Sequence, residues 1–445
     1  MAQVEEPRTG RQMPWYRGVS GYAWLVLVVA ALGWLFDTLD QQLFTLIRFR
    51  SLQDILSAYY SGPALDEAVQ RWGYKLTSIF LVGWALGGLL FGILGDKIGR
   101  ARTMMITILI YALFTGLNAL VHTPLQYAFC RFFTALGIGG EFAAGASLVA
   151  EVWPARSRPM ALGFLQALST VGNMMAAIVT FVLAEVSWRW VYVVGIAPAL
   201  LVVIIRLFIR EPEKWKEARA QTAADPTKEL GSIRDLFTLP GVSRNTWAAL
   251  LIALAGVLGL WGIGYFQPDL ISKVMQASGA SESDIQRAKS TVFFIFQIGG
   301  FIGMYSYAAA SERIGRKAAL LIIYLCVLGV VQGAFWTIHH VTHAYAWAFF
   351  LGFFTLSPFS AFAVYFPELF PTRLRSTGVG VCYNCARLLA AVGIFYVGSI
   401  AASFSRPGDP VFGYRMAASI MSFIYVFGFI GLALAPETKG RPLPE

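Results

Sequence analysis

Apolar residues run in long stretches along most of the chain, separated by short polar or turn-rich breaks. The stretches fall near 21–46, 74–94, 103–121, 124–149, 158–184 and 189–209, then near 245–270, 288–309, 317–337, 344–366, 376–402 and 411–434. Each approaches the ~20 residues that carry a helix across a bilayer. The pattern predicts an all-α membrane protein of twelve spans in two six-helix pseudo-repeat bundles. The expected division is a tail at 1–20, a first bundle at 21–209, a linker at 210–244, a second bundle at 245–434 and a tail at 435–445. The linker is polar (Glu211, Glu213, Lys214, Lys216, Glu217, Arg219) and is expected to carry a surface helix. Segment 48–73 reads as a long outer loop, a small cap.

Composition agrees with the pattern. Of 445 residues, 57% are apolar and 13% are charged, about half the charge of a soluble domain. A single soluble core cannot absorb that surplus, which excludes a soluble enzyme, a disordered chain and a disulfide scaffold. The net charge of +10 is a topology signal. With the N-terminus inside, 23 of the 35 Lys and Arg residues fall on inner segments, 10 on outer segments and two in mid-span. That bias places both termini in the cytoplasm of a plasma (inner) membrane protein. Arg8, Arg11 and Arg17 precede a first span too long for a signal peptide, with no A-x-A site after it.

Cys130, Cys326, Cys382 and Cys385 read as small buried apolar residues, and the lone CxxC at 382–385 is weak evidence for a metal. His122, His339, His340 and His343 lie at predicted outer ends and read as scattered loop residues. With no nucleophile–base pair, metal cluster or phosphate loop, the chain is expected to be no enzyme and to need no cofactor. The expected partners are a small-molecule substrate, protons and the bilayer, without nucleic acid. One chain supplies both halves, so a monomer is expected.

Two motifs recur at nearly one offset. Gly95-Asp96-Lys97-Ile98-Gly99-Arg100 follows span 2, and Ser311-Glu312-Arg313-Ile314-Gly315-Arg316 follows span 8, 216 positions on. Glu151 to Arg158 follows span 4, and Glu368 to Arg375 follows span 10, 217 positions on. Two six-helix halves of like topology are the sequence form of a rocking transporter. Asp96, Arg100, Glu151, Glu312, Arg316 and Glu368 are the candidate latch, with Arg100–Glu151 and Arg316–Glu368 as its expected pairs. The alternative is topological anchoring by inner-face charge.

GxxxDKxGR after span 2, its echo after span 8, RFxxxLGxGGE in span 4 and PETKGR near the C-terminus resemble the major facilitator superfamily. Within it, Asp37-Thr38-Leu39-Asp40, GIGGEFAAG and SWRW–GIAPALL–REPEKWKE are most similar to the sialate:proton and aromatic-acid:proton symporters. Those families usually carry D-G-x-D in span 1; Thr38 stands where Gly is common. The resemblance implies alternating access in a proton-coupled symporter.

Ionisable groups at membrane depth are costly, so each is a functional candidate. Asp37 and Asp40, at i and i+3, share a face of span 1. Arg131 in span 4 lies at the depth of Asp40. Together they form a candidate proton-carrying unit, with Asp40 first and Asp37 second, or else a structural network. Glu141 is either a second proton site or the partner of an inner-face base. Glu185 and Arg189 read as an interfacial pair. Arg387 is the sole mid-span charge of the second half. A guanidinium is a bidentate clamp for a carboxylate, and Asn384 lies one turn earlier. The alternative is an arginine satisfied by backbone carbonyls. Gln166, Gln267, Gln297 and Tyr383 complete the candidate substrate site, with Asn173, Trp261 and Tyr265 as further cavity candidates. The expected function is proton-coupled symport of a small organic carboxylate. A neutral-metabolite symporter, a proton-coupled efflux antiporter and sodium coupling stand as alternatives.

Overall fold

The computed structural model describes residues 14–445 except 184–185, 226–228, 405, 407–408 and 410; for 206, 264–266, 268–269, 282, 391–399 and 401–402 it describes the backbone alone. Arg8, Arg11, Glu185 and the Tyr265 side chain therefore lie outside the described residues.

Inside a bilayer every backbone group must be paired within the chain, so apolar stretches of this length become helices. Among the described residues, eleven helical segments are long and apolar enough to cross a membrane. The first half holds α1 (Gly21–Leu56), α2 (Pro63–Ile98), α3 (Arg100–Asn118), α4 (Pro124–Val152), α5 (Arg158–Val182), α6 (Trp188–Val194) and α7 (Ala199–Phe208). The linker carries α8 (Glu213–Ala224) and α9 (Ile233–Thr238). The second half holds α10 (Val242–Ala277), α11 (Glu282–Ile314), α12 (Arg316–Thr337), α13 (Val341–Val364), α14 (Phe366–Leu369), α15 (Arg375–Ser403), α16 (Phe412–Ser422) and α17 (Tyr425–Leu434). The predicted span at 376–402 is the continuous helix α15.

Three expectations change. The outer loop at 48–73 is mostly helix, because α1 runs on to Leu56 and α2 begins at Pro63. Leu52, Ile55, Leu56, Ala68 and Val69 pack into an outer apolar cluster, and Trp188 Nε1 donates to Asp54 Oδ2 at 2.9 Å. The polar residues that signalled a loop face outward from these extensions. The span at 189–209 is broken between α6 and α7, where Pro198 lacks the N–H that continuous helix requires. The cysteines are all free, but Cys326 and Cys385 are only half-buried. The four histidines are exposed.

The halves meet where α2 packs on α15 and α5 packs on α11. The two repeat turns adopt one backbone form: Gly99 and Gly315 sit at φ of 112° and 97°, a region open mainly to glycine. Both described chain ends lie at this end of the bundle. Trp15 stacks near Trp153 at 6.0 Å, and Tyr365 Oη donates to the Pro436 carbonyl. We call it the loop end.

Candidate functional site

At the loop end the motif acids converge on helix starts. Asp96 is fully buried. Its Oδ1 lies 3.0 Å from Arg100 Nη2 and accepts the Ser376 N–H at 3.2 Å. Its Oδ2 accepts the Thr377 N–H at 2.8 Å and the Thr377 hydroxyl at 2.6 Å. Asp96 of α2 thus caps α15 of the other half, where orphan N–H groups and the positive helix end favour an anion. Arg100 donates to Glu151 Oε1 at 3.0 Å and to the Thr372 carbonyl at 2.7 Å. Glu151 Oε1 also takes Arg375 Nη1 at 2.6 Å. The expected Arg100–Glu151 pair forms, but it is shared across the halves.

The second copy differs. Arg316 grips Glu368 through Nε at 3.1 Å and Nη2 at 2.9 Å, and Thr438 donates to the same carboxylate at 2.6 Å. Glu312, an expected latch member, closes no ion pair with Arg316 and keeps one buried oxygen without a partner. The reason is legible 217 positions before Ser376: Pro159 occupies the equivalent place at the start of α5 and has no N–H to give.

Sequence reasoning missed the residues that finish these networks. Glu211 accepts the N–H groups of Arg100, Ala101 and Arg102 at 2.7, 3.3 and 3.1 Å. Glu437 accepts those of Arg316 and Lys317 at 3.0 and 3.1 Å. Each ends its half by capping that half's third span. Burial alone pushes the Glu437 carboxyl up, but the N–H groups of Lys439, Arg316, Lys317 and Thr438 outweigh it and hold it below the usual glutamate range. The glutamates of REPEKWKE and PETKGR were the available signal. Arg375 and Thr377 lay in or beside the second motif copy.

Toward mid-membrane, two arginines each lie against two aromatic rings. Arg131 lies against one side of the stacked Phe44–Phe80 pair, 4.3 and 4.5 Å from their centroids. It pairs with Asp40 Oδ2 at 3.1 Å, and Thr115 donates to Asp40 Oδ1 at 2.8 Å. Arg387 sits between Trp84 and Tyr383, at 4.1 and 3.8 Å. Its Nη1 donates to Asn384 Oδ1 at 2.9 Å. Among the described residues no carboxylate closes an ion pair with Arg387, and it is 4% exposed. Asp37 is its electrostatic neighbour without touching it. Among the described residues no backbone carbonyl accepts from Arg387.

Asp37 and Glu141 are buried beside one another, and among the described residues no other group donates to their four carboxylate oxygens. Glu141 lies against Gly33, one turn before Asp37, in the space a Cβ there would fill. Among the described residues no base closes an ion pair with Glu141. Gln166, Gln267 and Gln297 are each buried with one amide atom unpartnered, and no hydrogen bond joins them to Arg387. Asn173 and Trp261 are half-buried. A cavity of about 540 Å³ opens at the loop end beside Tyr22, Glu151, Arg210 and Lys214, away from Arg387.

Comparison with known proteins places this arrangement. The model of the Major Facilitator Superfamily matches residues 18–393. A Haemophilus influenzae chain assigned to metabolite transport by inference is 30% identical over 96% of this chain and 99% of its own. The cis,cis-muconate transport protein of Acinetobacter baylyi is 29% identical over 74% and 78%. The sialic acid transporter NanX of Escherichia coli is 27% identical over 83% and 85%. Among solved structures, the proton:xylose symporter XylE matches with a TM-score of 0.70 at 18% identity, covering 95% of this chain and 98% of that one, a likeness of fold alone. The chain belongs to the Major Facilitator Superfamily and is a secondary transporter, an integral membrane protein that moves a small-molecule substrate.

Proposed function

We propose that the chain is a proton-coupled symporter of a small organic carboxylate. The observation that carries this reading is the contrast between its two ring-stacked arginines. Arg131 holds a carboxylate from its own chain, whereas among the described residues none closes on Arg387. A buried cation without a counter-ion is costly, and a bidentate substrate carboxylate is the group that matches it. Relatives named for muconate and for sialic acid carry carboxylates, which supports the same class.

The sequence ranked Asp40 first as proton carrier, but its geometry favours Asp37. Arg131 and Thr115 already hold the charge of Asp40. Asp37 and Glu141 have no such partners, and one shared proton removes their repulsion. When substrate neutralises Arg387, Asp37 loses a nearby cation and takes a proton, which couples the two cargoes. The protein works as a monomer in the plasma membrane with both termini cytoplasmic. Its six-helix halves, 21–209 and 245–434, rock about the 210–244 linker.

The three unpartnered amides favour a second reading, a neutral hydroxyl-rich solute. Proteoliposomes under an imposed pH gradient separate the two. The carboxylate reading expects acid uptake that alkalinises the proton-rich side. It also expects at least a tenfold affinity loss in Arg387→Lys, because Lys has no planar fork. Xylose uptake unchanged by Arg387→Lys sinks it.

A further inference from the structure

The anion clamp and the loop-end latch lie on one seam. Along α2 the residues facing α15 are Trp84, Gly88, Gly92 and Gly95, ending at Asp96. Opposite them stand Arg387, Asn384, Gly380 and Ser376, ending at Thr377. Trp84 stacks on Arg387. A Cβ at Gly88 would occupy the place of the Asn384 amide, and one at Gly92 would lie 3.1 Å from the Ser376 carbonyl and 3.4 Å from Gly380 Cα. A Cβ at Gly95 would fall on the Ser376 hydroxyl. The backbones touch from Gly88 to Gly92 and side chains carry the contact on to both ends, so a shift of α15 at one end is felt at the other.

We propose that Trp84 and Gly88 of α2 are positioning residues that set the donor plane of Arg387 and the seat of Asn384 on α15. The inference rests on the carboxylate reading above. Trp84 and Tyr383 cover both faces of the guanidinium, so its N–H donors remain usable only in their own plane. Gly88 leaves room for Asn384, which holds Nη1 and fixes that plane. If α2 withdraws, Arg387 loses one ring face and Asn384 loses its seat. A carboxylate that prefers the assembled clamp must then also favour the Asp96 cap on Thr377. The two points are ten residues apart, ~15 Å along α15. Linkage makes the effect reciprocal: substrate closes the latch, and the latch raises affinity.

The test uses purified full-length protein and three probes, cis,cis-muconate, nicotinate and N-acetylneuraminate. Binding is read by titration, and protection of the 376–377 amides by hydrogen exchange. A wild type that binds none of the three in an Arg387-dependent way defeats the carboxylate reading itself. Given such binding, Trp84→Leu and Gly88→Ala should each raise Kd at least tenfold. Trp84→Phe, which keeps a ring face, should stay within about threefold. Bound acid should slow exchange at 376–377 at least fivefold in the wild type and not in Trp84→Leu. Asp96→Asn, remote from the clamp, should also weaken acid binding several-fold. If Trp84→Leu does not fold, Gly88→Ala and Asp96→Asn give the same two readouts. Wild-type affinity in the Trp84 and Gly88 variants, or unchanged exchange on binding, overturns the proposal.

Discussion

Where α2 meets α15, Gly92 packs on Gly380; where α11 meets α5, Gly163 packs on Ala308 at the equivalent height. The two seams share this small-residue packing, but little of their chemistry. Asp96 caps α15 with three hydrogen bonds, while Glu312 caps nothing, because Pro159 begins α5. Arg375 crosses to Glu151 at 2.6 Å. Its counterpart Arg158 closes no ion pair, and its Nε has no partner. Arg387 on α15 is replaced by Thr170 on α5. A duplicated fold has thus kept its shape on both seams and loaded the buried inter-half ion pairs and the ring-stacked arginine onto one. The lesson is mechanical. If the halves rock as proposed, the first seam must break buried ion pairs, whereas among the described residues the second has none to break.

The largest expected effect breaks or confirms that contrast. Asp96→Ala strips a buried ion pair and the cap together, a loss of about 3–5 kcal/mol. Exchange at the Thr377 amide should then rise by more than a hundredfold and transport should fall to background. Glu312→Ala should change stability by no more than about 1 kcal/mol. Equal losses in the two variants, read by thermal unfolding in detergent, end the comparison.

Glu151→Gln comes next. It leaves Arg100 and Arg375 facing one another, and each lost charged bond is worth about 1.5–3 kcal/mol. The reciprocal swap of Arg100→Glu with Glu151→Arg should not restore uptake, because Asp96 and Arg375 then each meet a like charge. Full rescue by that swap shows that Glu151 serves Arg100 alone.

A smaller effect builds what the second seam lacks. Pro159→Ser restores an N–H donor at the start of α5 and gives Glu312 a partner. One such bond adds about 1 kcal/mol. Turnover should slow by a few-fold with affinity unchanged, read as a drop in maximal uptake rate at constant KM. Faster turnover contradicts the assignment of mobility to this seam.

The smallest concerns acid. Glu437 is held below the usual glutamate range when folded, so its cap on α12 is fully present above that range. Its contribution fades as pH falls through the depressed folded value. Exchange at the Arg316 and Lys317 amides should accelerate in acid in the wild type, and Glu437→Gln should remove that pH dependence.

Much of this was legible in the chain. Apolar run lengths announced the spans, because a bilayer leaves a backbone few alternatives to helix. The offset repeat announced the two halves and three of the loop-end acids. Asp40 and Arg131 could be matched by depth, and Asn384 by its place one turn before Arg387. The terminal caps were harder. Glu211 and Glu437 sit in ordinary charged segments, and only folding brings them to helix starts more than a hundred positions away.

The sequence by itself determined the membrane class, the twelvefold span pattern, the duplicated halves and the short set of mid-span charges, because each follows from local composition or from spacing. Only the tertiary structure decided which charges meet. It gave Asp40 to Arg131, left Asp37 and Glu141 outside any ion pair among the described residues, and joined Glu151 to an arginine of the other half. It also set Trp84 on Arg387. Those pairings depend on helix rotation and on close approach at Gly88 and Gly33, where the absence of a single carbon admits a neighbour's side chain. No period or run length along one chain encodes such a contact.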